Sequence, residues 1–277
     1  MTVWKTVCVL GLLTLTALAI RMGPADQVFA SGRVRLFTDD PPYHARRVAG
    51  LLEGDPDVHG IDPFVAHPFG AAACWPWGFD LVLAAVAGPF AGSPPDHAAI
   101  ARATALAVPF MGALLVPLVF ALASSVTDRK TALIAAGFIA LLPAHVDYSL
   151  VGRVDHHVLE SIFVVLAALG PLRLLGPGSK QLSGRILGIT LSGAAAGLSF
   201  GFVPAALPIA STSVALLGGG LLVRRDRSAL WYGASALVGS LVVLPLSPHP
   251  FDWVFYSHSL LQVTIIAILL AGLIGGH

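Results

Sequence analysis

The sequence predicts an all-α integral membrane protein: a polytopic bundle of about eight transmembrane helices with a long first external loop. Of its 277 residues, 56% are hydrophobic and only 11% are charged, whereas soluble domains are about 45–50% apolar and about 25% charged. The mean hydropathy is +0.82. Apolar runs long enough to cross a bilayer as helices recur along the chain, and a fold this apolar has too few polar groups to cover a water-facing surface.

The apolar runs give the positions of the predicted spans. These are residues 3–20, 99–126, 131–147, 158–176, 186–203, 205–223, 228–246 and 259–275. A further apolar segment, 78–92, is short and is followed by a proline-rich turn. The first run also has features of a secretory signal, with Lys5 ahead of its apolar part and the cleavage-like sequence 28–30 behind it, but an anchor helix is the preferred interpretation.

Glycines spaced by four predict close contact between helices. The small residues Gly193, Gly197 and Gly201 follow one another at this spacing in a predicted span. Small residues let two helix backbones approach closely in a membrane, so the pattern predicts a tight helix pair here.

The basic residues predict the orientation, because the cytoplasmic loops of membrane proteins are rich in Lys and Arg. If segment 78–92 does not cross the bilayer, one side collects these residues: Lys5, Arg129, Lys130, Lys180, Arg185, Arg224, Arg225 and Arg227. That side and the N-terminus are then cytoplasmic in the cell (inner) membrane. The first loop, 21–98, and the second loop, 148–157, share the external or periplasmic face.

The first external loop contains Thr-Asp-Asp-Pro-Pro-Tyr-His-Ala-Arg-Arg over residues 38–47. An Asp followed by Pro is typical of a helix start, because Asp caps the first turn and Pro has no N–H to leave unpaired. The pattern predicts a short helix over 43–52 that ends at Gly54. A carboxylate at a helix start can also face a ligand, so Asp40 has two compatible roles.

The second external loop reads Gly-Arg-Val-Asp-His-His-Val-Leu-Glu over residues 152–160. Its acidic and histidine side chains crowd the mouth of a predicted transmembrane helix, where ionisable groups are costly and commonly functional. Asp155 and His157 flank a turn and can both point at one divalent cation. Oxygen donors favour Mg²⁺ or Mn²⁺, and Mn²⁺ tolerates imidazole. The alternative is an Asp that caps the helix beside two interfacial histidines.

Together these motifs resemble those of the oligosaccharyltransferase catalytic subunits of the bacterial and archaeal single-subunit type. Residues 40–47 are similar to the first-loop motif of that family, and residues 152–160 are similar to its second-loop motif in the Asp-His-His version. The segment Trp-Pro-Trp-Gly, 75–78, resembles a Trp- and Pro-rich stretch late in the family's first loop. The three motifs occur in the family's order and on one predicted face.

The resemblance implies a glycosyltransferase of the C fold class that uses a divalent cation, Mn²⁺ or Mg²⁺. It implies Asp40, Asp155 and His157 as metal ligands, with Asp40 and Asp155 also catalytic. His156 and Glu160 also match family positions and have implied supporting roles, and Asp39, one place off the match, is a lesser candidate. Arg46 and Arg47 are candidates to contact the lipid phosphate, although a solvated or headgroup-facing position is the preferred interpretation for both.

The implied reaction moves an oligosaccharide from a polyprenyl (pyro)phosphate lipid to an asparagine of an acceptor polypeptide. The expected partners are therefore this donor, the acceptor polypeptide and membrane lipid. Members of the family are longer and carry a T-I-x-E motif and, in a soluble C-terminal domain, a W-W-D-Y-G motif; neither occurs in residues 1–277. The chain is expected to be the N-terminal part of such an enzyme, with a missing C-terminal half or a second subunit.

Two other functions are weaker alternatives. A different C-class glycosyltransferase with a polyprenyl-phosphate sugar donor would also have an acidic first loop, but the Asp-His-His loop argues against it. A non-enzymatic transporter would place ionisable groups near the bilayer midplane, whereas here they lie in loops. A formal net charge of +1 leaves no electrostatic excess for nucleic acid, and Cys8 and Cys74 are too few for a disulfide framework.

Overall fold

The computed structural model describes residues 2–37, 40–55, 58, 60–72, 75–175, 182–204, 228–253 and 258–275. The chain divides into two compact units. The first comprises Met1–Pro117 and Leu133–Leu159, and the second comprises Leu118–Ala132 and Glu160–His277. Within the described residues the regular secondary structure consists of helices and one short two-stranded hairpin. The all-α prediction therefore holds for all of these elements except the hairpin.

The first half of the chain alternates long helices with short elements. In chain order the elements are α1 (Val3–Arg21), α2 (Ala25–Val28), α3 (Asp40–Glu53), β1 (Ile61–Asp62), β2 (Ala71–Ala72), α4 (Gly78–Ala91), α5 (His97–Ser124), α6 (Arg129–Leu141) and α7 (Pro143–Asp147). Strands β1 and β2 pair antiparallel, with Ile61 opposite Ala72. The predicted first loop is therefore folded rather than extended, since it contains α2, α3, the hairpin and α4.

Helix α3 includes the predicted helix 43–52 and starts three residues before it. It begins at Asp40, directly before two prolines, and ends at Glu53. Gly54 has a φ of +75°, a conformation that glycine adopts without steric cost. The Asp55 N–H donates to the Gly50 carbonyl at 2.9 Å and the Gly54 N–H donates to the Leu51 carbonyl at 3.3 Å, the hydrogen-bond pair that closes many helix ends.

The core of the first unit joins α3, α4 and α5 to the chain on either side of Asp155. Fully buried apolar side chains from each of these parts pack together, among them Val48, Phe79, Leu83, Val154 and Val158. Burying a side chain of this size stabilises a fold by roughly 1.5–3 kcal/mol. This core fixes the first and second predicted loops against each other.

The second unit contains the remaining helices, α8 from Glu160 onward (His157–Leu175), α9 (Leu182–Ser199), α10 (Ser228–Val243) and α11 (Leu260–Gly275). A Cβ on Gly193 would overlap the backbone of Tyr232, and one on Gly197 would overlap the backbone of Ala236. The close packing predicted from the glycine spacing is therefore confirmed as the contact between α9 and α10.

Three segments of the described chain are long and apolar enough to cross a membrane: Val3–Val28, His97–Ser124 and Ala229–Leu246. The predicted span 131–147 is instead two helices, because α6 ends at Leu141 and α7 starts at Pro143, a residue that cannot continue a helix ladder. The predicted span 205–223 lies outside the described residues. The count of about eight spans remains a prediction.

Candidate metal centre

Asp155, His156 and His157 form a compact group of metal-ligating side chains at the start of α8. Each offers a ligand atom, and these atoms all lie within 4.8 Å of one another. The Asp155 Oδ1 and His157 Nε2 atoms are 3.9 Å apart. Two donors that each lie about 2.0–2.2 Å from one ion are separated by up to about 4.4 Å. The spacing of this carboxylate and imidazole therefore fits one cation.

The local sequence explains why these side chains converge. Gly152 has a φ of +85°, and a Cβ there would lie 2.9 Å from the Val28 side chain, so the chain turns closely at this point. Val154 and Val158, on either side of the group, are fully buried in the core. The His157 N–H donates to Asp155 Oδ1 at 3.3 Å, so Asp155 also caps the helix start. Capping by Asp155, the alternative of the sequence analysis, thus coexists with the ligand geometry.

The three side chains differ in exposure. Asp155 and His156 are buried, whereas the His157 side chain is 37% exposed. Burial, together with the nearby His44 and His157, lowers the pKa of His156 to about 2. His156 is therefore a neutral imidazole at physiological pH, the form that can coordinate a metal.

The first-loop motif is brought to this group by two contacts. The Phe37 N–H donates to the Gly152 carbonyl at 3.1 Å. Further along, His44 Nε2 lies 3.5 Å from His156 Nδ1. In sequence, Asp40 lies between Phe37 and His44, the two residues that make these contacts. Asp40 is four positions before His44 in α3, so the two side chains are on the same face of that helix. The two loops that were predicted to share one face are therefore in direct contact.

Asp80 is a buried carboxylate next to this site that the sequence analysis did not select. Its Oδ1 lies 2.7 Å from His44 Nδ1 and its Oδ2 lies 2.7 Å from Arg47 Nε. Asp80 and His44 are fully buried and Arg47 nearly so. An acidic residue near the start of an apolar run, two positions after the Trp-Pro-Trp-Gly segment, was the available signal.

The two candidate arginines have different surroundings. Arg47 is buried against Asp80, which places it in the protein interior rather than at a lipid headgroup. Arg46 pairs with Asp62 at 2.7 Å and lies over the Phe64 ring, with 37% of its side chain exposed. Of the two, only Arg46 therefore has a solvent-facing side chain.

The other supporting candidates are less informative. Glu160 is half-buried in the first turn of α8. Asp39 lies outside the described residues.

A positively charged side chain that was not among the predicted site residues, Arg153, also lies near His157. The Arg153 guanidinium is 4.7 Å from the centroid of the Tyr148 ring, and Tyr148 is edge-on to the His157 ring at 4.6 Å. Arg153 also pairs with Asp147 at 3.3 Å. The Tyr148 ring thus lies between the Arg153 guanidinium and the His157 ring.

No protein-family model matches the chain. The chain is similar to dolichyl-phosphooligosaccharide-protein glycotransferase 3 of Archaeoglobus fulgidus, with 29% identity over 268 residues that cover 90% of this chain and 30% of the relative. Glycotransferase 2 of the same organism is 31% identical over 168 residues, 59% of this chain and 26% of the relative. The chain thus spans less than a third of the length of either relative.

Solved structures show a shared fold. The chain is similar to archaeal oligosaccharyltransferase AglB from A. fulgidus in complex with an inhibitory peptide and a dolichol-phosphate, with a TM-score of 0.82 at 21% identity. The alignment covers 98% of this chain and 33% of the AglB chain. The A. fulgidus oligosaccharyltransferase in complex with Zn and sulfate has a TM-score of 0.82 at 20% identity, covering 96% and 35%. The resemblance to oligosaccharyltransferases that the motifs predict is therefore confirmed, and the chain shares the fold of the aligned third of these proteins.

Proposed function

We propose that this chain is the cation-binding part of a membrane glycosyltransferase that moves an oligosaccharide from a polyprenyl (pyro)phosphate lipid to an asparagine of an acceptor polypeptide. The observation that carries the proposal is the contact of the two motif-bearing loops beside Asp155, through Phe37–Gly152 and His44–His156. The shared fold supports it, since one neighbouring structure holds an inhibitory peptide and a dolichol-phosphate.

Asp40, Asp155 and His157 are the proposed ligands of the cation. The 3.9 Å between Asp155 Oδ1 and His157 Nε2 supports two of them, and the contacts on either side of Asp40 support the third. When bound, the cation supplies a Lewis acid that offsets the charge developing on the departing phosphate. Mn²⁺ or Mg²⁺ is the proposed ion, with Mn²⁺ the better match to a site that includes imidazole.

The carboxylates have a second proposed role, at the acceptor amide. An amide nitrogen is a poor nucleophile because its lone pair is delocalised into the carbonyl. Asp40 and Asp155 can accept hydrogen bonds from the amide N–H groups, which favours a conformation with a freer lone pair. Arg153 is proposed to contact the phosphate of the donor, since its guanidinium lies over Tyr148 beside His157.

The protein is a membrane protein, and its proposed orientation follows from the basic loops. Asp40 and the Asp155 group would then face the periplasm or the exterior. A lipid-linked donor with its phosphate at the membrane surface is accessible from that side. The segment that completes the acceptor site is proposed to come from a C-terminal half or a second subunit.

The cation site is tested by titrating the purified full chain in detergent with Mn²⁺ and following the electron paramagnetic resonance signal of the free ion. We expect one site, and we expect Asp155→Ala and Asp40→Ala each to weaken Mn²⁺ binding by at least ~10-fold. Asp26→Ala, which removes an exposed carboxylate of the same unit, is the matched control. Equal affinity in all four proteins would contradict the proposed site.

Transfer is tested in a chimera in which this chain replaces the aligned third of A. fulgidus glycotransferase 3. We expect the chimera to glycosylate a peptide containing an NVT sequon, the sequon of the acceptor peptide tethered in one neighbouring structure. Asp155→Ala in the chimera should abolish product formation. A chimera that binds Mn²⁺ and lipid-linked donor but whose activity is unchanged by Asp155→Ala would exclude the proposed role.

A further inference from the structure

A row of buried side chains runs from Asp80 on α4 through His44 on α3 to His156 beside Asp155. The first link, His44 Nδ1 to Asp80 Oδ1, is 2.7 Å, and the second, His44 Nε2 to His156 Nδ1, is 3.5 Å. His156 Nδ1 is also 3.3 Å from Asp155 Oδ1. All four residues are buried. The row therefore connects a carboxylate outside the proposed ligand set to one inside it.

The chemistry of the groups gives each link a direction. A carboxylate only accepts hydrogen bonds, so His44 Nδ1 carries the proton that it donates to Asp80. Arg47 lies against the other oxygen of Asp80 and balances its charge. The other ring nitrogen, His44 Nε2, faces His156 and is the atom that can accept a hydrogen bond from it.

The same reasoning fixes His156. Its Nδ1 has two acceptors nearby, His44 Nε2 and Asp155 Oδ1, so Nδ1 is the nitrogen that carries the proton. The lone pair of the His156 ring is then on Nε2. A histidine at a metal site is commonly oriented in this way, by a hydrogen bond from its other ring nitrogen.

Packing around the row holds these rings in place. The Phe79 ring is edge-on to His44 at 4.9 Å, and the Trp75 ring lies 6.0 Å from the His156 ring. Tyr43 contacts both Trp75 and His44. The Trp-Pro-Trp-Gly segment and the first-loop motif thus build one enclosure for the two histidines.

We propose that Asp80 and His44 are positioning residues of the metal centre: the row of buried contacts holds the His156 ring so that its Nδ1 proton is directed at Asp155, one of the proposed ligands. This inference rests on the proposed cation site. It adds to that site two residues that do not themselves touch the cation. Substituting such outer partners typically weakens metal affinity by about 10–100-fold.

The test compares three variants at two positions. His44→Phe keeps an aromatic ring against Phe79 and Trp75 but removes both nitrogens, and it is expected to weaken Mn²⁺ affinity by about 10–100-fold. His44→Gln places an amide oxygen where it can accept from His156, and it is expected to regain part of that loss. His97→Phe is the control, since His97 is an exposed histidine of the same unit.

Thermal unfolding without added metal shows whether the variants fold, and Mn²⁺ titration of the folded proteins gives the affinities. Histidine-labelled protein adds a direct readout, because ¹⁵N spectra distinguish protonated from unprotonated ring nitrogens; His156 is expected to be protonated at Nδ1 in the wild type. Asp80→Asn is the less informative variant, since it leaves Arg47 buried without its counter-charge.

Each result has a distinct meaning. Wild-type affinity in a folded His44→Phe protein would overturn the positioning role, and so would equal losses in His44→Phe and His44→Gln, because packing alone would then explain the effect. Failure of the wild-type chain to bind Mn²⁺ would instead overturn the proposed cation site. A graded loss, Phe greater than Gln with His97→Phe unchanged, supports the inference.

Discussion

The two units of the chain bury different kinds of polar side chain. The first unit buries charged and titratable residues, which are Arg21, His44, Arg47, Asp80, His145, Asp155 and His156. In the described residues of the second unit the buried polar side chains are serines, Gln262, His258 and Tyr232, and none of them is an acid, a lysine or an arginine. Burial of a charge is costly unless the charge is paired. The first unit therefore contains buried ion pairs such as Arg47–Asp80, whereas the buried serines and Gln262 of the second unit need only hydrogen bonds.

The second unit is held together in another way. Along α9 and α10, glycines let the backbones approach so closely that a single added methyl would overlap the opposite helix. Association of this kind depends on van der Waals contact and small residues. The difference indicates that the first unit is organised around a polar site, whereas the described helices of the second unit form a framework.

The largest effect is expected where the first unit buries a full charge. Arg47→Met removes the partner of Asp80 and leaves a carboxylate buried without its counter-charge. Loss of one member of such a pair costs about 3–5 kcal/mol. The free energy of unfolding, measured in mixed detergent micelles, should fall by this amount. Adding Asp80→Asn to Arg47→Met should recover part of the loss, and a double variant no more stable than Arg47→Met would contradict this explanation.

A smaller effect is expected at the framework of the second unit. Gly197→Ala places a methyl against the Ala236 carbonyl, and overpacking of this kind typically costs about 1–3 kcal/mol. Unfolding should shift accordingly while the Mn²⁺ affinity of the folded protein stays at the wild-type value. Gly11→Ala is the control, because a methyl there meets nothing within 4 Å. A loss of Mn²⁺ affinity in folded Gly197→Ala protein would break the contrast between site and framework.

A comparable substitution in the first unit should affect the site as well as stability. A Cβ on Gly112 would lie 2.5 Å from Ser149 Cβ and 2.8 Å from Arg21 Nε. Arg21 Nε donates to Ser149 Oγ at 2.8 Å, and the Val151 N–H donates to the Arg21 carbonyl at 2.9 Å, so this contact holds the chain that leads to Asp155. Gly112→Ala should cost about 1–3 kcal/mol and also weaken Mn²⁺ binding.

Gly88→Ala provides the comparison for Gly112→Ala, since a methyl there makes only an ordinary contact with Leu52 at 3.5 Å. Its stability and Mn²⁺ affinity should stay close to those of the wild type. Identical Mn²⁺ affinities for the two alanine variants would show that the position of the second loop does not depend on the Arg21–Ser149 contact.

Local sequence was sufficient to predict features that depend on neighbouring residues. The helix that follows the Asp-Pro pair, its termination before Gly54 and the glycine contact of α9 with α10 all follow from backbone sterics over a few positions. Pro143 is also a local signal, for a helix break. The prediction of one span over 131–147 gave more weight to the length of the apolar run than to this proline.

Features that depend on distant residues could not be predicted in this way. Asp80 and His44 are 36 positions apart, and His44 and His156 are 112 apart, so no local pattern reports their contacts. The family resemblance predicted that the two loops meet at one site, but it did not predict the buried Asp80–His44 pair next to that site. Arg46 and Arg47 are adjacent in sequence, yet a helix separates neighbours by about 100°, and only tertiary packing decides which one is buried.

The smallest effect is expected at Arg46, and it tests the explanation for Arg47. Arg46→Met removes an ion pair with Asp62 that is partly open to solvent, and pairs of this kind contribute about 0–1 kcal/mol. The Arg46 guanidinium also lies 4.7 Å from the Phe64 ring centroid, a contact that a methionine side chain partly replaces. The free energy of unfolding should therefore change by less than about 1 kcal/mol, and the change should shrink further in high salt. If Arg46→Met were as destabilising as Arg47→Met, burial of the charge would not be the reason for the difference between these adjacent arginines.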